Sequence, residues 1–584
     1  MPLDLFNDAL DDTPVSDGCD GFTGADFTLR PDQLTPDTVR DGENIWFDSD
    51  LAAQTRPGLR FNTLCDDGTL GAGVAAVQGM GFYDTPTIER TLAVRAGKLY
   101  EIDGAGVAAS TAVLAGATGI HGSARVQFAQ LIDRMFFSDG VLRWARYTGA
   151  WSHGSVTTFA DASAMPAWRM IFAHNFRLFA VESGGNYIYV SDIGAGEAAA
   201  NWARTANVRV GSGEGDPVVS LVAGQAGNLV VLCAASAWVV DTTEPDPANW
   251  IVRRITQLTG CVAPQTAIST GQDVLFLSRY GLTSLGSLAT TDSLNPAQTL
   301  SAPIRPLIDR VNWAAIGTAW ATVWRDLYLL ALPLDLDTQP RHILPYNQRT
   351  KRWATPWTAS LGGLILGSAP GQAILADDLG LLLIDEAGNA FIDGGTPPGS
   401  PFTIVNFEGF SAAAVVRFGE RQETLIADNT GRILRIDPDH EKDDNLAEQN
   451  QEIPSWVTLK AHHFDTPQHI KQPFMLEVQF RSSSATGVQL NLVRDALEVF
   501  PARTLEEAEI IATDVTTGTL GRFPLLFPIQ FRPNTNFRRS YHLRRLPRFR
   551  ECGLQVYCPR GRLRLRTVRF AAFVDSPDLT NRFQ

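Results

Sequence analysis

The feature that most constrains the fold of this chain is a hairpin pattern that recurs at a nearly constant spacing. Each copy has an apolar run, a short polar or glycine turn and a second apolar run, as in QETLIADNTGRILRID at residues 422–437. The eight copies begin at residues 91, 133, 175, 228, 272, 325, 372 and 422, which are 42–53 residues apart. A period of about 40–50 residues with hairpin content is typical of β-propeller blades, whereas leucine-rich repeats are shorter and TPR units are helical.

The composition of these runs explains why they would repeat. Most are apolar at nearly every position, such as LVVLCAA within residues 228–241, as in strands that are buried on both faces. One four-stranded blade cannot cover its own faces, but radial packing covers each face with a neighbouring blade. The 50 Gly and 33 Pro residues suit many tight turns. The sequence therefore predicts an all-β protein with a β-propeller of six to eight blades.

The pattern changes near residue 450. Residues 437–454 are polar and charged and predict a linker. Beyond them, runs such as FMLEVQFRS and GRLRLRTVRF alternate apolar and polar residues, which favours a C-terminal antiparallel β-sandwich. We therefore predict four parts of the chain: an acidic N-terminal arm with the leading strands at 1–70, the propeller at 71–436, the polar linker at 437–454 and an Arg-rich β-sandwich domain at 455–584.

The charge of the chain is distributed unevenly. The formal net charge is −14, but residues 1–70 carry 15 Asp or Glu against 4 Arg. Residues 531–570 carry 12 Arg against one Glu. Three interpretations fit an acidic beginning and a basic end: pairing between subunits, separate electrostatic roles, or two solvated faces.

The arginines near the C-terminus are the candidate site. In RGRLRLR, at residues 560–566, strand alternation predicts a row of four arginines on one face and Leu563 and Leu565 on the other. A row of guanidinium groups suits phosphate or carboxylate partners, so a subunit interface, a DNA channel and a solvated face all remain open. The candidate interface or channel residues are Arg538, Arg539, Arg544, Arg545, Arg560, Arg562, Arg564 and Arg566.

No pattern in the sequence points to catalysis or to a metal. The GxSxG, HExxH and GxxxxGK[ST] motifs do not occur. Residues 437–448 place acidic side chains as a calcium loop does, but Lys442 replaces the glycine at its sixth position, which favours a solvated linker. His462, His463 and His469 lack partners at ligand spacing, and the six cysteines form no CxxC pair. We predict no enzyme activity, no metal and no cofactor.

Two features bear on the compartment. No apolar stretch approaches the ~18 residues that a membrane span needs. The sequence begins with the acidic MPLDLFNDALDD, which lacks the basic and then apolar plan of a secretion signal. We therefore expect the chain to fold in a cytoplasm with its cysteines as free thiols.

Several segments, taken in order, resemble one family. The segment at 43–61, ENIWFDSDLAAQTRPGLRF, has an asparagine, then apolar residues, then Arg-Pro-Gly. This order is similar to the opening of bacteriophage tail nozzle and tail hub proteins, which are also called packaged-DNA stabilisation or tail tubular proteins. HNFRLFAVESGGNYIYVSD at 174–192 resembles their Asn-x-Arg-Leu segment. NLVVLCAASAWVVD at 228–241 and ILPYNQRTKRWATPW at 343–357 resemble later blades. The resemblance covers most of 43–360, and the C-terminal basic region matches no pattern of the family.

The resemblance implies a structural protein of the virion tail, assembled in the host cytoplasm. Such proteins form a ring, typically a homohexamer, below the portal-adaptor or head-to-tail connector ring. The ring closes and gates the DNA exit channel and helps to retain and deliver the packaged double-stranded genome, and tail fibres or spikes attach to it. The family has no catalytic residues. The alternatives are a receptor-binding or fibre-anchoring tail protein that uses propeller loops, and a propeller enzyme with a cofactor or a hydrolysable substrate.

Overall fold

The structure is a computed structural model that contains strands almost throughout. The residues that it describes are 14–30, 32–65, 75–103, 110–113, 120–141, 145–148, 155–158, 167–196, 198–202, 207–210, 215–290, 299–359, 361, 364–366, 403–405, 407–418, 421–446, 449–464, 470–482, 488–494, 498–505, 535–542, 548 and 550–574.

Seven sheets follow one another along the chain, and we number them blades 1–7; their pairings are antiparallel except for Gly24–Ala25 with Thr38–Val39 in blade 6. In blades 1–4 each strand pairs with the next one in the sequence. Blade 1 has the strands Val77–Asp84, Glu89–Arg95, Lys98–Asp103 and Ser110–Val113. Blade 2 has Gln127–Leu131, Arg134–Ser138, Ala145–Thr148 and Ser155–Thr158. Blade 3 has Trp168–His174, Arg177–Glu182, Tyr187–Val190 and Val208–Arg209. Blade 4 has Val218–Ala223, Asn228–Cys233, Ala237–Asp241 and Ile251–Thr256.

The last three blades are less regular. Blade 5 has the three strands Ile268–Ser269, Val274–Ser278 and Gly281–Ser284. Blade 6 has Trp320–Trp324, Leu327–Leu332, His342–Asn347 and Arg352–Trp353, extended by Gly24–Ala25, Thr38–Val39 and Trp357–Thr358. Blade 7 has Phe410–Phe418, Arg421–Asp428, Arg432–Asp437 and Gly58–Leu64.

The described helices are short and lie between strands. The α-helices are Leu285–Thr290 and Arg305–Ile308. The 3-10 turns are Ala199–Asn201, Gln225–Gly227, Pro247–Asn249, Pro264–Thr266, Ala302–Ile304 and Ile316–Thr318. Leu364–Leu366 and Thr403–Val405 pair as a separate two-stranded sheet between blades 6 and 7.

Blade 7 closes the ring, because its fourth strand comes from the beginning of the chain. Gly58–Leu64 pairs antiparallel with Arg432–Asp437, so that Phe61 is opposite Leu434. Seven hydrophobic clusters then separate consecutive blades around the circle. The cluster between blades 7 and 1 joins Leu425 to Val77. The predicted β-propeller is confirmed, with seven blades in the described part of the chain.

The recurrent hairpins have a fixed place in this architecture. Six of the eight supply the second and third strands of a blade, as 422–437 does with Arg421–Asp428 and Arg432–Asp437, while the one at 133–145 supplies the second strand of blade 2 and the first residue of its third strand. These strands are the most apolar because a neighbouring blade covers each of their faces. The hairpin predicted at 372–385 lies outside the described residues.

A second region, which we call the terminal domain, is built from both ends of the chain. One sheet has the order Thr535–His542, Lys471–Ser482, Leu563–Val574, Ala53–Thr55 and Ile45–Phe47, with Val15–Cys19 also paired to Leu563–Val574. The other has the order Asp41–Glu43, Ser455–Thr458, Cys552–Cys558, Val488–Arg494 and Glu498–Leu505. One hydrophobic cluster contains buried residues of both sheets, including Val478, Phe570, Leu490 and Val556.

The structure differs from the sequence-based division in two places. The described strands within the predicted arm at 1–70 do not form a separate unit, since they belong to blade 6, blade 7 and the terminal domain. The linker predicted at 437–454 contains a hairpin of Lys442–Leu446 and Gln449–Glu452. The first difference arises because strands far apart in sequence pair in space, which local patterns do not report, and the second because a polar, charged segment forms a local hairpin. The sandwich stays a prediction, since residues 506–534 lie outside the described part.

Two smaller observations concern the chain as a whole. All six cysteines are free thiols, and burial raises the pKa of Cys65 and of Cys558 to about 12. Among the described residues, no helix is both long and apolar enough to cross a membrane.

Candidate functional site

The predicted arginine row lies at the start of the last strand, Leu563–Val574. Leu563 and Leu565 are buried in the terminal domain, whereas Arg564 is half-buried and Arg566 is exposed, as the alternation predicts. Arg560 and Arg562 precede this strand and flank Gly561, whose φ is 74°. The row therefore occupies a turn and a strand rather than one continuous strand face.

Arg564 is paired within its own chain. Its Nη2 lies 2.6 Å from Asp48 Oδ2 and 2.6 Å from Asp50 Oδ2. Arg569, which the sequence did not single out, contacts Asp20 at 2.8 Å. The acidic beginning and the basic end thus meet inside one subunit, because Val15–Cys19 pairs with the last strand. For these described pairs, the idea that the two ends join different subunits is wrong.

The other predicted arginines lie in different environments. Arg562 donates from Nη1 to Pro438 O at 2.5 Å, and burial lowers the pKa of its guanidinium. Arg560 and Arg566 are exposed. Arg538 and Arg539 lie in the strand Thr535–His542, opposite Gln479 and Val478 in register. Arg544 and Arg545 lie outside the described residues.

The most elaborate polar cluster surrounds Arg56, which belongs to the Arg-Pro-Gly motif. Its Nη1 donates to Asp443 Oδ1 at 2.8 Å, and its Nη2 contacts Asp443 Oδ2. Its Nε donates to Asn44 Oδ1 at 3.0 Å and to Thr358 O at 3.1 Å. Asn44 in turn donates to Pro454 O at 2.9 Å.

This cluster, which we call the Arg56 clamp, joins three parts of the molecule. Thr358 belongs to blade 6, Asp443 to the hairpin that follows blade 7, and Asn44 to the link between two terminal-domain strands. Both Arg56 and Asp443 have side chains that are at most 2% exposed. The motif therefore acts as a structural clamp between the propeller and the terminal domain. The sequence analysis noted Arg56 only as part of a motif that resembles a family. It could not identify Thr358 and Asp443 as partners, because they are hundreds of residues away.

The acidic segment that mimics a calcium loop is also used internally. Asp437 contacts Arg60 at 3.3 Å, and Asp444 contacts His440 at 2.6 Å. Within the described residues, no group of three or more His, Cys, Asp or Glu side chains is arranged to hold a metal ion. The interpretation of 437–448 as a solvated linker is wrong where its carboxylates are buried, as at Asp443.

An axial cavity of about 290 Å³ lies at the centre of the propeller. All seven blades contribute to its wall, and one residue of each is Met80, Phe128, Met170, Leu221, Gln265, Trp320 and Ala413. Arg125, just before the inner strand of blade 2, donates hydrogen bonds to Gln265 Oε1 and Thr318 O. Burial lowers the pKa of Arg125 to about 10. No sequence pattern singles out Arg125, because no other arginine lies near it in the sequence.

Three exposed apolar side chains form a patch on blades 2 and 3, two at hairpin tips and one, Ile193, in the loop after the third strand of blade 3. Ile132, Phe176 and Ile193 are 60%, 71% and 60% exposed. Ile132 and Phe176 both have a φ of 57°, a left-handed conformation that costs a bulky residue about 1–2 kcal/mol. Gly194 bridges them, since its N–H donates to Phe176 O at 2.7 Å and its Cα hydrogens face Ile132. We call these residues the tip patch.

Comparisons with known proteins add little to this geometry. No family model matches the chain, and no curated protein matches it. YCF48 from Cyanidioschyzon merolae is 11% identical, with 64% of this chain and 98% of that chain covered and a TM-score of 0.34. The WD40 β-propeller domain of Doa1 is 7% identical, with 65% and 97% covered and a TM-score of 0.33.

PorZ, a surface component of the type-IX secretion system of Porphyromonas gingivalis, is 11% identical, with 71% of this chain and 44% of that chain covered and a TM-score of 0.33. Values this low say nothing about activity or partners. The propeller assignment therefore stands on the seven sheets and on the closure by Gly58–Leu64.

Proposed function

We propose that this chain is a structural virion protein, a subunit of a ring-forming tail nozzle or hub. The ring closes and gates the DNA exit channel below the portal-adaptor and helps to retain and deliver the packaged genome. The observation that carries the proposal is the Arg56 clamp, because its Asn44 and Arg56 come from the segment that resembles the nozzle family. A clamp that fixes two domains suits a subunit that must hold a channel closed.

The exposed arginines supply the second support. Arg560 and Arg566 are exposed, whereas Arg564 is paired with Asp48 and Asp50. Exposed guanidinium groups suit carboxylates of a neighbouring subunit or DNA phosphates, with an affinity that falls as salt rises. DNA would pass through the ring of subunits and not along the propeller axis, since Arg125 crosses that axis.

The native mass of the purified protein tests this proposal. We expect a mass of about six chains, alone or after mixing with the adaptor protein of the same virion. The double variant Arg560→Glu and Arg566→Glu should lower the hexamer fraction, while Arg349→Glu, a charge reversal on a blade 6 turn, should not. A monomer or trimer under both conditions would contradict the ring.

The tip patch favours a second candidate, a fibre-anchoring or receptor-binding tail protein. Strained, exposed apolar residues at neighbouring hairpin tips mark a surface that a partner would cover. The double variant Phe176→Ser and Ile193→Ser should then abolish binding of purified tail fibre or of a glycan array. Leu336→Ser is the matched control, because Leu336 is 93% exposed on blade 6. Equal binding by both variants would contradict this candidate.

A further inference from the structure

The wall of the axial cavity is neutral, while one cation lies at its mouth. The described residues that line it are apolar, glycine or uncharged polar residues, including Gln127, Ser220 and Gln265. On blades 2, 5 and 6 the lining residues lie at or just before the start of the inner strand, so this part of the wall is near one end of the propeller axis. Arg125 is at that same end, next to Val126 and Gln127 of the wall.

The guanidinium of Arg125 reaches across the propeller axis. Arg125 belongs to blade 2, whereas Gln265 precedes the inner strand of blade 5 and Thr318 precedes that of blade 6. In a ring of seven, blades 5 and 6 are the two farthest from blade 2. A side chain that bonds to both must therefore pass over the open end of the cavity.

The partners of Arg125 leave its charge uncompensated. A side-chain amide oxygen and a backbone carbonyl accept its two hydrogen bonds, and no carboxylate of the described residues lies within 4 Å of it. A buried charge is costly unless an opposite charge or several hydrogen bonds accompany it. Arg56 and Arg432 satisfy that rule through the carboxylates of Asp443 and Asp428, whereas Arg95 bonds to the carbonyl oxygens of Ala75 and Cys65.

We propose that the axial cavity binds a small oxyanion, a carboxylate or a phosphate group, through the guanidinium of Arg125. A guanidinium has five N–H donors in a planar fork, so three remain for a ligand after the two bonds to the protein. The cavity of about 290 Å³ is near the lower end of the range for small-molecule sites. Aromatic wall residues such as Phe128 and Trp320 suit a short organic chain behind the anionic group.

Isothermal titration calorimetry with sodium succinate and, separately, with sodium phosphate tests the site. Buffer and ionic strength are matched with sodium chloride. We expect saturable binding of one anion per chain, which weakens as chloride is raised. The preference between succinate and phosphate distinguishes the carboxylate source from the phosphate source. Arg125→Met should weaken binding at least about tenfold, and Arg125→Lys should weaken it less. Arg349→Met, an exposed arginine of blade 6, should leave it unchanged.

A second variant keeps the test valid if Arg125→Met fails to fold. Gln265→Glu replaces the amide that Arg125 contacts with a carboxylate of nearly the same shape. This internal carboxylate should occupy the guanidinium, abolish anion binding and raise the melting temperature. Two results would overturn the site: no saturable binding of either anion to the unmodified protein, or unchanged affinity in Gln265→Glu. The absence of saturable binding would show that Arg125 only connects opposite blades. Unchanged affinity in Gln265→Glu would show that the anion binds elsewhere.

Discussion

The two ends of the chain contain arginines of opposite character, because a single buried arginine near the beginning contrasts with exposed arginines near the end. Arg56 shares its segment 43–61 with one other arginine, Arg60, yet it is buried and bonded to three parts of the molecule. The eight C-terminal arginines are conspicuous by their number, yet Arg560 and Arg566 are exposed and Arg564, although paired with Asp48 and Asp50, is half-buried. The number of arginines in a segment is therefore a poor guide to how much each of them contributes to stability.

The physical reason is desolvation. An exposed ion pair contributes about 0–1 kcal/mol, because water and salt screen it. Breaking a buried pair leaves an uncompensated charge in a medium of low dielectric constant and costs about 3–5 kcal/mol. Two groups of arginines can therefore be distinguished in this protein. The buried, paired arginines stabilise the fold, and the exposed arginines contribute little to stability.

The largest effect is expected at the Arg56 clamp. Arg56→Ala should lower the free energy of unfolding by about 3–5 kcal/mol, because it leaves Asp443 buried without its cation. Urea denaturation followed by tryptophan fluorescence measures this change. Arg349→Ala is the control, since the Arg349 side chain is 63% exposed and its ion pair with Asp326 is long, at 3.8 Å. This substitution should change the free energy of unfolding by less than about 0.5 kcal/mol. Equal effects of the two substitutions would break the distinction between buried and exposed arginines.

The next effect concerns the strand that closes the ring. Leu59, on Gly58–Leu64, is 4% exposed and packs with Ile426 and Trp320 between blades 6 and 7. Leu59→Ala should cost about 3 kcal/mol, because a core leucine leaves a cavity when it is truncated. Limited proteolysis should show cleavage near blade 7 before the other blades, since closure there is noncovalent. Leu336→Ala, on an exposed loop, is the control and should leave both stability and cleavage unchanged.

A smaller, pH-dependent effect is expected where the first strand joins the terminal domain. Asp17 Oδ2 lies 2.7 Å from His462 Nδ1, and this hydrogen bond holds the pKa of Asp17 below its ordinary value of 3.8. The folded state therefore binds this proton less readily than the unfolded state does. Stability from Asp17 is present above about pH 4 and is lost as the pH falls through the lower folded pKa.

Asp17→Asn should remove that contribution, which is less than about 1 kcal/mol because Asp17 is partly exposed. Guanidinium denaturation at pH 7 and at pH 3 measures the difference between the variant and the unmodified protein. We expect the difference to be larger at pH 7 than at pH 3. Asp326→Asn is the control, and a pH-independent difference at Asp17 would contradict the assignment.

Much of the propeller was predictable because it is a local and repeated pattern. The second and third strands of each blade are buried on both faces, so their sequences are continuously apolar, as in Leu327–Leu332. The inner strands precede the repeated hairpins, and one of them, Ile268–Ser269, has only two residues, so the repeat did not reveal them. The closing strand and the terminal domain depend on pairing across hundreds of residues, which no local pattern specifies.

The candidate site was predicted in part. Alternation placed Leu563 and Leu565 in the core and Arg564 and Arg566 away from it, since a strand has a period of two. The carboxylates that pair with Arg564 could not be predicted, because Asp48 and Asp50 lie more than 500 residues earlier. Arg125 could not be predicted either, since its environment exists only after seven blades have closed around it.

The smallest effect on stability is expected at Arg566, and it completes the comparison with Arg56. Arg566 is exposed, so Arg566→Ala should change the free energy of unfolding by less than about 0.5 kcal/mol. If exposed arginines serve partners, the same substitution should still reduce ring assembly or DNA retention by the particle, measured by native mass and by release of packaged DNA on heating. Arg564→Ala should behave between the two, since it breaks partly exposed pairs to Asp48 and Asp50. An Arg566→Ala protein that is destabilised like Arg56→Ala would mean that the exposed row holds the fold, and the separation of roles would fail.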